Sequence, residues 1–505
     1  MNLLRLSLFL GCLTLLISGC DDSTGPKRSL AEPPNLVLII ADDMGWNDYG
    51  GAGHPSIRTP NLDQLARDGM TFQQAFLTTS SCSPSRSSII TGRYPHNTDA
   101  EQLHWPLPGN QITFVEKLRE AGYWTGAAGK WHLGSEIRDR FDVILGGGRG
   151  DLPIPPRASD TTSGCMQWQR LLQERPKDRP FFTWLAAFDP HRAYHSDIIA
   201  RPHRPEEAVV PPYLPDLPEM REDLVLYYDE VARLDSFVGV VVQELEAQGV
   251  SDNTLILFIS DNGRPFPRAK TTLFDSGIRT PFLMKWPSQI SGGTTTTSLV
   301  SAIDIAPTFL ELAGAEIPPT VQGISLLPML VNPNTKLRQF AFGEHNWHDF
   351  DDHSRAVRSE RYKYVQHQYH DLPHRPPADA ISGISYQAML TAYEAGELDA
   401  AFGGTIQGPR TPEEFFDVEN DPFEMHNLAN DPTYQAELDL HRVALQEWKA
   451  QTQDEVPQFR TADEFDPKTG KPLDNWQWPR PSKVEMVSQG LIPAYEPALA
   501  PDRQK

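Results

Sequence analysis

The residues of this chain that could do chemistry are clustered. Cys82-Ser83-Pro84-Ser85-Arg86 runs into Ser87-Ser88-Ile89-Ile90-Thr91-Gly92-Arg93. A cysteine at a helix N-terminus beside an arginine is an activated thiol and an anion site, because unpaired N–H groups and a guanidinium both favour negative charge. A lone cysteine in a serine-rich loop usually means no more than a free thiol, so its surroundings must decide. Gly129-Lys130-Trp131-His132 supplies a cation and an imidazole, and Phe188-Asp189-Pro190-His191 supplies a second imidazole. Asp42-Asp43 and Asp261-Asn262 offer only oxygen donors, which suit Ca²⁺ or Mg²⁺. Taken alone, an Asp–Asp pair is most often a turn or a helix cap.

The fold must bring these distant residues together. Residues 35–42 (NLVLIIAD) form a continuous apolar run closed by an acid, the pattern of a strand buried on both faces of a parallel sheet. Residues 254–261 (TLILFISD) and 180–189 (PFFTWLAAFD) repeat it, and 282–287 is a further strand. Helical patterns lie between them. Thr113 and Glu116 make a capping box before a helix that Gly122 stops. Thr59-Pro60 opens another, and residues 223–248 carry Val231, Leu234, Val238, Val241 and Leu245 at helical spacing. Strands alternating with helices predict an α/β domain over 35–335. Such sheets carry their sites at the carboxyl ends of the strands, where Asp42, Asp43, Asp261 and Asn262 all fall. Past 335 the alternation fades. Short strands near 339–343, 356–358, 362–366 and 415–418 and a helix near 433–450 predict a smaller α+β domain over 336–452, with an antiparallel sheet. A tail over 453–505, rich in Pro, Asp and Lys, is expected to wrap the body in extended form.

Composition limits the function. The 505 residues are 39% hydrophobic and 22% charged, ordinary for a globular enzyme. The net charge of -22, from 67 acidic and 45 basic residues, excludes general nucleic-acid binding. An anionic substrate must be gathered by local cations or a metal. Arg5 precedes an apolar run over 6–17, too short to span a bilayer but long enough for a signal peptide. The run closes on Ile17-Ser18-Gly19-Cys20, which resembles a bacterial lipobox, so residues 1–19 are expected to be removed and Cys20 lipidated. Residues 20–34 then form a polar tether, and the protein is expected to be a periplasmic lipoprotein anchored to a membrane. Of four cysteines, Cys82 and Cys165 remain, enough for one disulfide at most.

Two stretches together carry a family resemblance. The C-x-P-x-R run at Cys82–Arg86 resembles the maturation motif of type I sulfatases, and Gly122 to His132 (GYWTGAAGKWH) resembles their second signature. The 35–46 stretch with its paired aspartates, FISDNG, DIAPTFLELAG and FFDVENDPFEMHNLAND resemble further landmarks of the same family. The resemblance implies an alkaline-phosphatase-like α/β/α sandwich with a smaller C-terminal α+β domain. It also implies that a maturation enzyme oxidises Cys82 to formylglycine. Asp42, Asp43, Asp261 and Asn262 would ligate a metal, Ca²⁺ before Mg²⁺, with residue 82 adding an oxygen. Arg86, Lys130 and Lys270 would cage the sulfate. His132 would hold the formylglycine hydroxyl, Asp261 would take its proton, and His191 would protonate the leaving group.

Within the family, SCSPSRSSIITG, AAFDPHRAYHS, VPPYLPDLPEMREDL and SDNGRPFPRAKTTLF look most like the heparan N-sulfatase branch. Lys270, the Trp of Gly129–His132 and Phe274–Arg279 depart from it toward a commoner bacterial pattern, which includes enzymes acting on O-sulfates of algal polysaccharides. The expected substrate is thus a sulfated oligosaccharide or polysaccharide, such as ulvan or carrageenan, with heparan N-sulfate as the alternative. His345, Trp347, His348 and Arg355 are the expected sugar contacts, on a loop at the rim of the cleft. A phosphate or phosphonate monoester hydrolase and a non-catalytic glycan-binding lipoprotein are the competing readings.

Overall fold

The computed structural model describes residues 32–146 and 162–492. The expected signal peptide, Cys20 and most of the tether lie outside these residues. A central mixed sheet is built from β1 (Asn35–Ala41), β2 (Met70–Phe72), β4 (Trp124–Gly129), β5 (Val143–Leu145), β6 (Phe181–Ala186), β7 (Thr254–Ser260), β8 (Phe282–Lys285) and β9 (Thr294–Thr296); β3 (Ala75–Phe76) pairs apart with β10 (Val300–Ser301). The order is β5-β4-β6-β1-β7-β8-β2-β9. The five strands from β5 to β7 run parallel, and β8 turns against both β7 and β2.

The apolar run of β1 is explained by its place between β6 and β7. Leu36, Leu38 and Ile40 enter one core, with residues of α2 (Cys82–Thr91), α3 (Phe114–Glu120) and α6 (Ile305–Leu312). Val37, Ile39 and Ala41 enter the other, with α1 (Pro60–Asp68), α4 (Trp168–Glu174) and α5 (Pro218–Ala247). Period-two alternation therefore feeds two cores at once, so both faces must be apolar. The long helix starts at Pro218, five residues before the predicted start at 223, because proline is well suited to the first helical turn. At α3 only half of the expected capping box forms. Thr113 accepts from the Glu116 N–H, while the Glu116 carboxylate pairs with Arg140.

The strand β4 was hidden in the sequence. Its residues, WTGAAG, are mostly small and show no strand pattern. The reason is packing. A Cβ on Gly126 would lie 2.6 Å from the Trp124 ring and 3.1 Å from Leu171. Small residues are required there and leave no hydrophobic pattern.

The second sheet, β11 (Ala341–His345), β12 (Ser354–Arg358), β13 (Tyr362–His367) and β14 (Glu413–Asp417), is antiparallel throughout. Val357, Tyr364 and Phe415 pack against α7 (Gln435–Thr452), while Ala341, Ala356 and Val365 pack on Phe76, Leu273 and Ile278 of the central domain. A buried ion cluster joins the two domains. Lys363, fully buried, pairs with Asp275 and with Glu424 at 2.8 Å. The tail beyond 453 returns to the body, where Arg480 donates to the Leu103 carbonyl at 3.0 Å and lies 3.7 Å over the Trp347 ring. Among the described residues, no helix is long and apolar enough to cross a membrane.

Candidate active site

Three strand ends and one helix start converge. Asp42 and Asp43 follow β1, and Asp261 and Asn262 follow the neighbouring β7, so register alone places them side by side. Asp43 takes a left-handed φ of 75° and its N–H donates to Asp261 Oδ1 at 3.3 Å. β4 delivers Lys130. The preceding Gly129 has φ 96°, and a Cβ there would meet the Ala186 carbonyl oxygen at 1.9 Å, so only glycine lets the chain pass. Cys82 is the first residue of α2, with its Sγ 3.7 Å from Asp43 Oδ1.

Charge is balanced here among buried side chains. Arg86 Nε donates to Asp261 Oδ2 at 2.8 Å, and Lys270 Nζ donates to Asp43 Oδ2 at 2.8 Å. Lys130 Nζ donates to Asp42. Three carboxylates thus face three cations, which leaves no excess positive charge to attract an anion. Two acceptor oxygens, Asp42 Oδ1 and Asn262 Oδ1, are buried without a hydrogen-bond partner. Unsatisfied buried acceptors are costly, and a hard cation is the partner that an all-oxygen donor set accepts. The residues therefore fit a metal. One ligand atom from each of Asp42, Asp43, Cys82 and His191 lies within 4.8 Å of the others.

The electrostatics correct one expectation. Burial pushes the Cys82 thiol well above its ordinary range, and the charges of Asp42 and Asp261 outweigh part of the help from Lys130 and Lys270. The unmodified side chain is a protonated thiol, not the activated thiolate that its helix position suggested. Burial also raises the Asp261 carboxyl, with Asp42 adding to it. At Asp42, burial is outweighed by Lys130, His191 and Arg86, which hold the carboxyl low.

The two imidazoles differ. His132 is half-buried at a φ of 53°, and its Nε2 shares a 2.7 Å hydrogen bond with His104 Nδ1. Burial beside Lys130 drives its pKa far down, so it is a neutral ring. His191 keeps 20% of its side chain exposed, at the mouth of the site. Its Nε2 lies 3.9 Å from Asp43 Oδ2 and 3.6 Å from Asp379 Oδ2.

Comparison with known proteins identifies this arrangement. Residues 34–315 match the family model described as Sulfatase. Human N-sulphoglucosamine sulphohydrolase is 31% identical over 464 residues, covering 84% of this chain and 91% of its own.

The chain belongs to the sulfatase family.

It is a sulfuric ester hydrolase. Residues 268–374 also match the model described as N-sulphoglucosamine sulphohydrolase, C-terminal, which places the sulfatase in the sulfamidase-like branch. An ulvan-active sulfatase of Formosa agariphila is 28% identical over 468 residues, covering 84% of this chain and 76% of that one. Among solved structures, BT4656 in complex with its substrate D-glucosamine-2-N,6-O-disulfate superposes with a TM-score of 0.66 at 20% identity, covering 84% of this chain and 99% of that one. The architecture is accordingly the alkaline-phosphatase-like sandwich with a small antiparallel C-terminal sheet.

The structure of the sulfatase brings Cys82, Arg86, Lys130, His132, His191 and Lys270 together with Asp42, Asp43, Asp261 and Asn262. The four expected sugar contacts are placed differently. His345, Trp347, His348 and Arg355 are buried rather than displayed at a rim, each no more than 4% exposed. Arg355 is held by Asp454 through two bonds of 2.7 Å. The Trp347 indole donates to the Ala462 carbonyl at 2.9 Å under the tail. His348 shares a 2.7 Å bond with Ser81, next to Cys82, so it supports the site from behind. The tail that covers these residues was expected only as a wrapped segment, so their burial was not legible. Three residues near the site went unnoticed: His104, Asp379 and Trp478. The Trp478 ring lies edge-on to His104 at 4.9 Å and is 62% exposed. Nothing in the local sequence marks them, because their partners are distant in the chain.

Proposed function

We propose that this sulfatase removes sulfate from a sulfated sugar, with Cys82 matured to formylglycine by a separate maturation enzyme. Asp42, Asp43, Asp261 and Asn262 would hold a calcium ion. The observation that carries the reading is the buried Cys82 at the convergence of three carboxylates, three cations and two oxygens without a hydrogen-bond partner. Formylglycine as its hydrate supplies a hydroxyl nucleophile where a buried thiol would not act. A divalent ion there supplies the positive charge that the balanced ion pairs lack.

The chain's own residues do the rest. Lys130, Lys270 and Arg86, all buried, bind and orient the sulfate oxygens, and burial strengthens such contacts. Asp261, a carboxyl raised by burial, accepts the proton of the attacking hydroxyl. His132 holds that hydroxyl, kept in place by His104. His191, at the open mouth, carries the proton to the departing oxygen or nitrogen, with Asp379 facing its Nε2. In place of the buried Trp347, the exposed Trp478 presents the aromatic face on which a sugar ring can stack.

The sugar is an oligosaccharide such as those of ulvan or carrageenan, in line with the Formosa relative. Heparan N-sulfate is the second reading, favoured by the match of residues 268–374 and the human relative. Sulfate release from algal oligosaccharides and N-sulfated heparan disaccharides, run side by side, decides between them. Release from neither, with rapid hydrolysis of an aryl phosphate, overturns both. We also place the protein in the periplasm, anchored through Cys20. Labelled fatty acid retained by the wild type but absent from Cys20→Ala is the expected result, and labelling of both refutes it.

A further inference from the structure

A second group of metal-ligand atoms lies in the C-terminal domain, outside the catalytic residues. One atom each from His367, His374 and Glu414 falls within 4.8 Å of the others. His367 ends β13, Glu414 is in β14, and His374 lies on the loop between. They line a cavity of about 10 Å³, the room of a single water or ion.

The hydrogen bonds fix where the His367 proton sits. Ser354 Oγ donates its one hydrogen to Asp352 Oδ1 at 2.6 Å, so toward His367 Nδ1, at 2.9 Å, it can only accept. His367 therefore carries its N–H on Nδ1. Its Nε2 presents a lone pair, yet it faces the Glu414 carboxylate at 2.8 Å. Two acceptors this close require a cation between or beside them. A metal would bind both atoms, since ligands about 2 Å from one Zn²⁺ lie about 3 Å from each other. His374 Nε2, 3.8 Å from Glu414 Oε2, is a third ligand. The outer support matches too. A metal-binding imidazole gives its other N–H to a hydrogen-bonded partner. Here that partner is Ser354, backed by Asp352, which accepts in turn from Arg410 at 2.6 Å. Finally, His345 lines the same cavity with its Nδ1 buried and unpartnered. It is placed to bond a water completing the coordination.

We propose that His367, His374 and Glu414 form a second metal site that takes a divalent transition cation of the zinc type. Two imidazoles and one carboxylate select such an ion over calcium. The cavity is also lined by Thr271 and Phe274, in the segment that follows Lys270. The ion would tie the His374 loop to the C-terminal sheet, and His374 packs on the Phe274 ring of that segment.

The test uses the full chain carrying Cys82→Ala, which removes the catalytic thiol, in excess Ca²⁺, which fills the first site. Equilibrium dialysis against Zn²⁺ is expected to show uptake of about one equivalent per chain, with a rise in Tm. His374→Ala and Glu414→Gln are expected to lose that equivalent and the Tm rise. Absence of stoichiometric uptake by the Cys82→Ala chain overturns the proposal, as does uptake that survives both substitutions. Should those variants fail to fold, anomalous scattering at the zinc edge from crystals of the Cys82→Ala chain locates the ion. Density between His367, His374 and Glu414 supports the site, and zinc bound only elsewhere refutes it.

Discussion

Arg86 and Arg355 are both fully buried and both paired with aspartate, yet they differ in what is left over. Every nitrogen of Arg355 is used: Nε and Nη2 on Asp454, and Nη1 on the Asn346 side chain at 3.1 Å and the Ser354 carbonyl at 2.8 Å. Arg86 spends Nε on Asp261 and Nη1 on the Lys130 carbonyl at 3.1 Å, but its Nη2 has no hydrogen-bond partner. Asp42 and Asn262 beside it also keep unpartnered oxygens. A saturated ion pair stabilises a fold. An unsaturated one, kept at a desolvation cost, is a site prepared for something else to bind.

The contrast can be broken from the unsaturated side first. Cys82→Ala is expected to lower sulfate release by more than about 10⁴-fold with an unchanged Tm, since it removes the nucleophile and little packing. His191→Ala is expected to cost about 10²–10⁴-fold on a sugar sulfate and far less on an aryl sulfate, whose leaving group needs no proton. Comparing kcat on the two substrates checks this, and equal losses would remove His191 from the proton-transfer role.

From the saturated side, Arg355→Met leaves Asp454 buried without its cation. A loss of about 3–5 kcal/mol in unfolding free energy is expected, with kcat of the folded protein little changed. A pH effect goes with it. Burial pushes the Asp454 carboxyl up, but Arg355 outweighs this and holds it below the usual range. A carboxyl depressed in the folded state contributes stability that is complete above its unfolded pKa, about 3.9, and is lost as pH falls further. The wild type should therefore lose stability below about pH 4 more steeply than Arg355→Met, as denaturant titrations across acid pH would show. The smallest effect is expected at the rim, where Trp478→Ala should raise KM for an oligosaccharide by up to about tenfold, the worth of one stacking contact, and leave kcat alone.

The same contrast explains what the sequence disclosed. Asp42, Asp43, Asp261 and Asn262 were legible because they close two apolar runs that had to be neighbouring buried strands. Cys82 and Lys130 were legible as motifs. The strand that carries Lys130 was not, because Gly126 and Ala127 are small for packing reasons and leave no pattern. The helices and sheet of the C-terminal domain were visible in outline. The burial of Arg355 and Trp347 was not, because it depends on Asp454, Ala462 and Arg480, about a hundred residues further on in the tail. A buried structural arginine and a substrate-binding one look alike until their partners are known.

The central claim is that residue 82, once oxidised, is the nucleophile at the unsaturated site. Its most direct test is to prepare the enzyme with and without the maturation enzyme, measure the converted fraction of the Cys82 peptide by mass spectrometry, and assay sulfate release from each preparation. The account predicts a rate proportional to the converted fraction, with none from wholly unconverted protein. Full hydrolysis by protein whose Cys82 is still a thiol would contradict it.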